Sequence, residues 1–583
     1  MGLFGYQLLK HLGPEEQQAR RDALNLNATI AQASIGVVLV VIQVYHLISW
    51  VSSKPAKKET KWEPSSPYVK HEFQREKRSF GGGLKTFGRR VKWYMDEPVF
   101  EGWGSTGAWF AGSIWMAWLL ALCVRNTGDD YMHVAKRFGI VGASQLPLHY
   151  LLAIKSPWSP IALLTRRSQE QLNIYHQILG RIVQILFSLH AIFYLNFFWQ
   201  FGWLAKRVKD NDVILGLAGI AIITLIGTTA LSPLRRLSYR VFYFVHIIGA
   251  TILLPVLYYH VQHIRIYILE SAAVYVLHIL LRWISSKTYP GTLSIVPGTN
   301  LVQVSIPSPN KKWKAGQHVY LTTAIPITGG TVGTLKNPFT IASLPKTDGN
   351  LTLIARTLKG PTRTLASKAR ASALSGTNTK LQIEGPYGVR LPSFAQFDRI
   401  LLVAGGVGAT FIIPIYRSII TSRLNASNNT SLSDIRLIWS VRKISETSWA
   451  LPIPETSGKA GNAREMGAEQ DLYITGTGSE DAGIGYKEVD QGESIEMTGE
   501  REGLVGDGDE GVNLEEQGVQ IKHRRPDLRD LVDETFGHGH GQNGKVAVLV
   551  CGPPGMGAQV RREVGRWVSK GKNVYFHSEE FGL

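Results

Sequence analysis

Cysteine is scarce in this chain of 583 residues, which has only Cys123, in an apolar run, and Cys551, in a glycine-proline turn. Two cysteines so far apart cannot form a disulfide framework or a cysteine-rich zinc site. The first residues also lack the basic stretch that precedes the apolar core of a secretory signal, so we expect no cleaved signal peptide.

Acidic residues are concentrated in one stretch, although the formal net charge of the chain is +18. Residues 455–520 contain 17 acidic and 4 basic residues and no proline, phenylalanine or tryptophan. Such a composition cannot build a core, so we expect this insert to be disordered. The remaining chain is strongly basic. We attribute that charge to the loops of a membrane protein and expect no nucleic-acid partner.

Long apolar runs fill the first half of the chain. They predict seven membrane helices, at about 29–51, 106–124, 138–154, 174–199, 213–231, 241–261 and 265–284. The loop at 52–103 holds 12 lysines and arginines. Basic loops stay on the cytoplasmic side, so the N-terminus is expected outside and the C-terminal half in the cytoplasm.

The fourth and sixth segments each carry two histidines that are 14 residues apart, His176 and His190 in one, His246 and His260 in the other. At about 100° and 1.5 Å per residue, both histidines of a helix face the same way, roughly 21 Å apart. Two such helices running in parallel would pair His176 with His246 at the inner level and His190 with His260 at the outer level.

Paired imidazoles at two levels are typical of haem ligation, because haem iron takes one axial ligand from each side. One alternative is that the histidines form hydrogen bonds between helices. A non-haem iron site is another, but no His-x-x-x-His or His-x-x-His-His occurs. His149 has no partner at matching spacing, and we interpret it as structural.

The pattern changes after about residue 288 to short alternating runs between turns, which predict a small β-barrel. Gly360-Pro361-Thr362 could open a helix whose free N–H groups bind an anion. Beyond 398, the strand 399–404 feeds the turn Gly405–Thr410 and a helix, an arrangement that predicts a phosphate cradle. Strands 435–442 and 545–550 end in Arg442 and in Cys551-Gly552-Pro553.

Together these motifs make the chain resemble the fungal ferric reductases of the ferric reductase/NADPH oxidase family, from about residue 100 to the C-terminus. The matching motifs are the paired histidines, Asn337-Pro338-Phe339-Thr340, Gly385-Pro386-Tyr387-Gly388, Gly405–Thr410 and Cys551–Pro554. Asn337 stands where the family usually has histidine. An aromatic residue near the family's C-terminus lies by the flavin, and Phe581 is the candidate here because the last residue is Leu583.

The resemblance implies FAD, NADPH and two b-type haems. The expected haem ligands are His176, His190, His246 and His260. The expected residues at the other cofactors are Pro338, Phe339, Thr340, Ser343, Arg356, Gly360, Thr362, Gly385, Tyr387, Gly405, Gly406, Gly408, Thr410, Trp439, Arg442, Cys551, Gly552, Pro553 and Phe581.

The fold class expected is a multidomain membrane protein, with an α-helical transmembrane haem bundle, a β-barrel FAD domain and an α/β nucleotide-binding domain of the ferredoxin-NADP reductase kind. The expected divisions are an extracytoplasmic N-terminus at 1–28, the first transmembrane helix with its basic loop at 29–103, a six-helix haem domain at 104–286, the FAD domain at 287–397 and the NADPH domain at 398–583.

The implied activity is electron transfer from cytosolic NADPH to Fe(III) chelates, and to Cu(II) as a further acceptor, outside the cell. The alternatives are a superoxide-generating NADPH oxidase and a non-enzymatic membrane protein with degenerate sites. Expected partners are membrane lipid, the metal chelates and an iron permease/oxidase system. The expected location is the plasma membrane, with the vacuolar membrane as the alternative.

Overall fold

The computed structural model describes residues 6–8, 12–52, 80–100, 102–307, 309, 312–323, 337–358, 361–376, 378–388, 391–424, 434–451, 468–476, 519–537 and 544–580. Gly360, Phe581 and most of the acidic insert lie outside these ranges. The chain divides into two compact units, one of Met1–Gln74 and Tyr94–Ser285, the other of Arg75–Trp93 and Ser286–Leu583.

In its described residues, the first unit is mostly helical and contains one short β-hairpin. Its helices are α1 (Pro14–Ser52), α3 (Thr106–Val124), α4 (Tyr131–Ser144), α5 (Leu146–Leu152), α6 (Pro160–Thr165), α7 (Gln169–Gln200), α8 (Leu204–Arg207), α9 (Asn211–Thr229), α10 (Ser232–Leu237), α11 (Tyr239–His260) and α12 (Arg265–Ser285); the hairpin strands are β1 (Pro98–Phe100) and β2 (Gly104–Ser105). Helix α2 (Phe80–Met95) spans the boundary between the two units and is described below.

Six helices of the described part are long and apolar enough to cross a membrane. They correspond to six of the seven predicted segments. The prediction of one continuous helix at 138–154 is wrong, because α4 ends at Ser144 and α5 begins at Leu146. Pro147 explains the break, since it has no N–H to donate and its ring clashes with the preceding helical turn.

Local sequence fixes where the functional helices begin. Helix α7 starts with a capping box: the Ser168 hydroxyl accepts from the Gln171 N–H, and the Gln171 side chain accepts from the Ser168 N–H. Helix α4 is capped by Asp130, whose carboxylate accepts from the His133 N–H at 3.0 Å. Both helices pack against each other in the buried core of the unit.

The second unit begins with a six-stranded antiparallel sheet in the order β6-β5-β8-β3-β4-β7. Its strands are β3 (Ser286–Ile295), β4 (Leu301–Ile306), β5 (His318–Thr323), β6 (Asn337–Thr340), β7 (Leu351–Arg356) and β8 (Thr379–Tyr387). A bridge between Ile341 and Leu353 brings its two edges together, so the sheet is a nearly closed barrel. Helix α13 (Pro361–Ser375) adds Leu365 to the barrel core. The predicted barrel is confirmed.

The nucleotide-binding part is a six-stranded parallel sheet in the order β12-β11-β10-β9-β13-β14. Its elements are β9 (Arg399–Gly405), α14 (Ala409–Leu424), β10 (Asp434–Val441), β11 (Ala468–Ile474), β12 (Val519–Lys522), α15 (Leu528–Gly537), β13 (Lys545–Gly552), α16 (Pro554–Ser569) and β14 (Asn573–Glu580). Helices cover both faces, which is why β9 and β13 are almost entirely apolar. The chain order reverses between β9 and β13, where doubly wound sheets bind ligands.

An ion pair between the buried Arg417 and the half-buried Asp348 joins the barrel to α14. The Arg417 guanidinium donates to both carboxylate oxygens of Asp348, at 2.6 and 2.9 Å. Burial acts to raise the pKa of Asp348, but the hydrogen bonds from Arg417 and from the Leu344 N–H outweigh it and lower that pKa. The charged carboxylate therefore stabilises the contact between the two domains of the reductase unit.

Replacement of Asp348 by asparagine should loosen this contact by about 1.5–3 kcal/mol, the range for a hydrogen bond to a charged group. Hydrogen exchange at 344–350 in the full chain should then accelerate roughly 10- to 100-fold near neutral pH, since about 1.4 kcal/mol is tenfold. The pKa is lowered on folding, so the wild-type advantage is complete above the ordinary carboxyl pKa and is lost as the pH falls below it. Glu469→Gln is the control, because Glu469 is an exposed partner of Arg436. Equal exchange in Asp348→Asn and wild type would contradict the assignment.

Candidate functional site

The four helix histidines lie in two facing pairs. His176 on α7 faces His246 on α11, with ring centroids 6.1 Å apart and an interplanar angle of 59°. His190 faces His260 at 6.4 Å and 84°. The two pairs follow the same order along both helices, so α7 and α11 run in parallel.

The spacing of the rings fits an iron atom between them. A metal–imidazole bond is about 2 Å long, so two rings on opposite sides of one metal have centroids about 6 Å apart. A flat macrocycle with a central metal could lie between the two rings only if each ring directed one nitrogen at the metal. The hydrogen bonds of the rings determine which nitrogen, Nδ1 or Nε2, is available for that contact.

Three of the four rings are oriented by backbone carbonyls. Nδ1 of His176 donates to the His149 carbonyl at 3.0 Å, Nδ1 of His190 to the Ala135 carbonyl at 2.8 Å, and Nδ1 of His260 to the Asp212 carbonyl at 2.6 Å. A carbonyl can only accept, so each Nδ1 carries the proton and Nε2 keeps its lone pair for a metal. Nδ1 of His246 has no such partner among the described residues.

A fifth histidine, His149, contacts His176 of the inner pair. Its ring stacks on His176 at 4.1 Å with an angle of 9°, while its backbone carbonyl takes the His176 proton. Gly180 leaves room for this ring: a Cβ there would lie 2.9 Å from Cε1 of His149. This contact indicates a structural role for His149, although no other histidine lies at a matching spacing in the sequence.

Glycines on neighbouring helices also make room for the outer pair. A Cβ on Gly139 of α4 would lie 2.8 Å from Nδ1 of His190, and one on Gly216 of α9 would lie 2.8 Å from Cε1 of His260. Both distances are shorter than real Cβ contacts. The ring positions therefore depend on the absence of these two methyl groups.

The predicted flavin residues gather on the barrel. Pro338, Phe339 and Thr340 lie on β6, and Thr340 is buried. Tyr387 is buried at the end of β8, where its hydroxyl donates to Glu384 at 2.9 Å. Gly385 precedes it with φ +130°, a conformation that side-chain residues avoid.

Two of the predicted flavin residues make hydrogen bonds that shape the barrel. The Ser343 hydroxyl accepts from the Thr352 N–H at 3.0 Å. The Thr362 hydroxyl, in the first turn of α13, accepts from the Leu358 N–H at 2.9 Å. This hydrogen bond links Leu358 to the first turn of the helix. Gly360 lies outside the described residues.

The glycine turn after β9 meets the turn after β13. A Cβ on Gly405 would lie 2.8 Å from Cδ of Pro553, and one on Gly408 would collide with the Cys551 carbonyl and reach Gly552. Thr410 bonds back to the Val407 carbonyl at 2.9 Å. The two motifs, predicted separately, form one surface at the carboxyl edge of the sheet.

Trp439, Arg442 and Arg356 lie around this edge. Trp439 on β10 donates to the Gly406 carbonyl at 3.0 Å, and Arg442 follows β10 directly. The Arg356 guanidinium, from the barrel, lies beside Gly406 and forms an ion pair with Glu446 at 3.7 Å. Arg356 therefore brings a cation from the flavin domain to the nucleotide edge.

Cys551 is fully buried at this edge. Burial, and secondarily the charge of Glu579, raises the pKa of its thiol well above the ordinary value. The thiol stays neutral, so its part is that of a small packing and contact group and not that of a nucleophile. Phe581, the predicted aromatic near the flavin, lies outside the described residues.

Some contacts were not foreseen from the sequence. Met556 packs against both Gly405 and Gly552, and Glu446 pairs with Arg356. Met556 lies two residues after Pro554, so the motif Cys551–Pro554 could have been extended to include it. Glu446 lies in an ordinary polar turn, and nothing in its sequence context points to Arg356. The carbonyl acceptors of the histidines carry no side-chain signal at all.

Three protein-family profiles match the chain in succession. They are the ferric reductase like transmembrane component at 138–257, an FAD-binding domain at 288–391 and the ferric reductase NAD binding domain at 397–565. The chain therefore contains a ferric-reductase-like transmembrane domain, an FAD-binding domain and a ferric-reductase-type NAD-binding domain. The order of the three profiles is that of the helical unit, the barrel and the parallel sheet.

Curated members of the ferric reductase family are similar to this chain at low identity. Ferric reductase transmembrane component 3 of Saccharomyces cerevisiae is 24% identical over 452 residues, which are 75% of this chain and 59% of that protein. A probable metalloreductase AIM14 of Yarrowia lipolytica is 25% identical, covering 74% and 73%. The probable cell surface ferric reductase kap2 of Aspergillus oryzae is 26% identical, covering 54% and 44%. The chain thus spans less than two thirds of the length of several of these relatives.

The room left by Gly216 gives a prediction for the outer histidine pair. Gly216→Ala should displace the His260 ring and reduce haem bound at the outer level, seen as a partial loss of absorbance and of the low-spin electron paramagnetic resonance signal. Gly36→Ala is the matched control, since Gly36 is also in a long apolar helix but has no atom within 4 Å of its Cβ position. Spectra of Gly216→Ala identical to those of the control would show that the ring does not need this space.

Proposed function

We propose that this protein carries electrons across a membrane from cytosolic NADPH, through FAD and two b-type haems, to Fe(III) chelates on the other side. The observation that carries the proposal is the pair of histidine levels, each with ring spacing suited to one iron. The levels are roughly 21 Å apart along the helices. Two such levels nearly span a hydrocarbon core of about 30 Å.

When bound, NADPH supplies a hydride, flavin converts a two-electron donor into single electrons, and haem iron takes one electron at a time. The residues of this chain hold these groups in place. His176, His246, His190 and His260 would hold the two haem irons, with Nε2 as the ligand atom of His176, His190 and His260. The carbonyls of His149, Ala135 and Asp212 fix the ring orientation, which also raises the basicity of the ligands.

The second unit supplies the binding surfaces for NADPH and FAD, where the proposed electron transfer begins. On β6, Pro338 is exposed and Phe339 is half-buried, so these two side chains can contact the flavin ring, whereas Thr340 and Tyr387 are buried. The turn Gly405–Thr410 offers backbone N–H groups to a pyrophosphate. Arg356 lies where it can serve either cofactor, since its guanidinium is beside Gly406.

Arg442 lies just beyond the carboxyl end of β10, where a cation can take a nucleotide 2′-phosphate. This position supports NADPH as the donor. Trp439 lies three residues earlier, on β10. Its hydrogen bond to the Gly406 carbonyl holds β10 against the glycine turn. The carboxyl edge of the parallel sheet thus combines a phosphate-binding turn with an arginine that can contact the 2′-phosphate on the ribose.

The acceptor is proposed to be a ferric chelate that visits the outer face briefly, with Cu(II) as a second substrate. Within the described residues no group of three or more His, Cys, Asp or Glu could hold a metal ion. The acidic residues near the outer level are already engaged: Asp130 caps α4 and pairs with Arg20, and Asp210 and Asp212 pair with Arg207. A transient encounter with the edge of the outer haem needs no dedicated metal ligands.

In a cell, membrane lipid would surround the helical unit of such an enzyme. The enzyme would supply reduced iron to an iron permease/oxidase system. The plasma membrane is the proposed location and the vacuolar membrane the alternative. Relatives named ferric reductase transmembrane component, metalloreductase and cell surface ferric reductase support this class of substrate.

The two histidine levels should be separable by mutation. His190→Ala should lose the outer haem and keep an inner haem that NADPH reduces, whereas His176→Ala should block electron entry altogether. The measurement is anaerobic reduction by NADPH followed by absorbance. His263→Ala is the control, because His263 lies in the turn at Gln262–Ile264 outside both pairs. Two reducible haems in both His176→Ala and His190→Ala would refute the pairing.

Arg442 should decide the choice of nucleotide. Arg442→Ala should raise the KM for NADPH roughly 10- to 100-fold, the equivalent of about 1.5–3 kcal/mol for a charged hydrogen bond, and leave NADH nearly unchanged. Lys443→Ala, the neighbouring cation, is the control. Steady-state kinetics with both nucleotides tests this. An equal loss for NADPH and NADH would remove the 2′-phosphate contact.

The acceptor is tested with sealed vesicles. NADPH given on the cytoplasmic side should reduce an impermeant Fe(III) chelate on the opposite side, and superoxide dismutase should not inhibit the reaction. Vesicles of His190→Ala serve as the control for leakage of reductant. If the dismutase abolishes the signal, oxygen is the direct acceptor and the protein is a superoxide-generating NADPH oxidase.

A further inference from the structure

Helix α2, in the loop between the first two long apolar helices, was not predicted from the sequence. Its sequence is FGGGLKTFGRRVKWYM, with four basic residues and no acidic ones. At about 100° per residue, Leu84, Phe87, Val91 and Tyr94 fall within an arc of roughly 80°. The helix is therefore amphipathic, with a narrow apolar stripe on an otherwise basic cylinder.

One face of α2 is fixed to the reductase unit. Arg561 of α16 lies over the Trp93 ring at 4.5 Å and donates to the Trp93 carbonyl at 2.9 Å. Trp93 also packs edge-on against Phe576 of β14 at 5.6 Å. Arg89 donates to the Gly571 carbonyl at 2.7 Å.

Further contacts continue this docked face. Arg90 donates to the Ser569 carbonyl, and the Trp93 ring leaves no space for a side chain at Gly565, where a Cβ would lie 3.0 Å from its Nε1. The face thus combines charged hydrogen bonds to the end of α16 with an aromatic contact. Helix α2 is held in place by its own domain, and its orientation is set.

The opposite face is the apolar stripe, and it is open. Leu84 is 66% exposed, Phe87 64%, Tyr94 59% and Val91 38%. A helix of ordinary soluble proteins would turn such residues inward. Here the docked face is polar and aromatic, and the large apolar side chains point outward.

A membrane surface accounts for both the stripe and the charge. In-plane helices bury an apolar stripe just below the headgroups and place lysines and arginines along it. Basic residues near an anionic bilayer add an electrostatic attraction to the apolar contact. Only 10 residues lie between Met95 and the start of α3 at Thr106. A chain of that length reaches at most about 40 Å, so α2 cannot lie far from the bilayer that α3 enters.

We propose that α2 is an in-plane membrane anchor whose apolar stripe inserts into a lipid surface that contains anionic headgroups, while its other face holds the reductase unit. The stripe supplies the apolar contact, Lys92 and its basic neighbours supply the charge, and Trp93 with Arg561 connects the anchor to the last helix of the nucleotide-binding domain.

The proposal is tested by spin labels on the full-length protein in nanodiscs. Cys123 and Cys551 are both buried, so an introduced surface cysteine is labelled selectively. Leu84→Cys and Phe87→Cys should carry nitroxides that collide more often with oxygen, which concentrates in lipid, than with a water-soluble nickel chelate. The difference should be larger in nanodiscs with anionic lipid than in purely zwitterionic ones.

The matched control is Ser422→Cys, an exposed residue near the end of α14, a helix that covers the other face of the same sheet. Its nitroxide should favour collisions with the nickel chelate in every lipid. Water-like accessibility at 84 and 87 would overturn the proposal. Exclusion of both probes there would also overturn it, because the stripe would then be covered by protein, such as a second copy of the chain.

Discussion

The account depends on one interaction, a hydrogen bond from histidine Nδ1 to a backbone carbonyl inside an apolar helix bundle. It fixes the tautomer of His176, His190 and His260 and leaves the lone pair of Nε2 available for a metal. Polar groups in lipid are costly and need partners, and the carbonyls supply one for each Nδ1. The capping of α7, the glycines beside the rings and the parallel course of α11 all serve to keep these donors in place.

The reductase unit follows a different physical rule. A parallel sheet binds ligands at its carboxyl edge, where the chain order reverses, and this sheet places Gly405–Thr410 and Cys551–Pro553 against each other at that point. Arg417 with Asp348 fixes the barrel against α14, so that Arg356 reaches the same edge. Flavin and nucleotide surfaces thereby become neighbours within one compact unit.

Much of this arrangement could be predicted from the sequence, because period and spacing carry it. The fourteen-residue step placed the four histidines in their pairs, and the strand–glycine–helix pattern located β9 and its turn. The break before Pro147 was missed because the apolar run continues through it. The acceptors at Ala135 and Asp212 are backbone carbonyls, which have no signature in the sequence. Helix α2 was not predicted, because its glycines weaken the helical pattern and because it lies within a basic loop.

The central claim is that the two histidine levels each hold one haem. The most direct measurement is a haem assay with a redox titration and electron paramagnetic resonance on the full-length protein. We expect two non-covalent haems per chain, both low-spin with two axial imidazoles, and two reduction steps. A single haem per chain, or a high-spin signal from iron with one protein ligand at either level, would contradict the account.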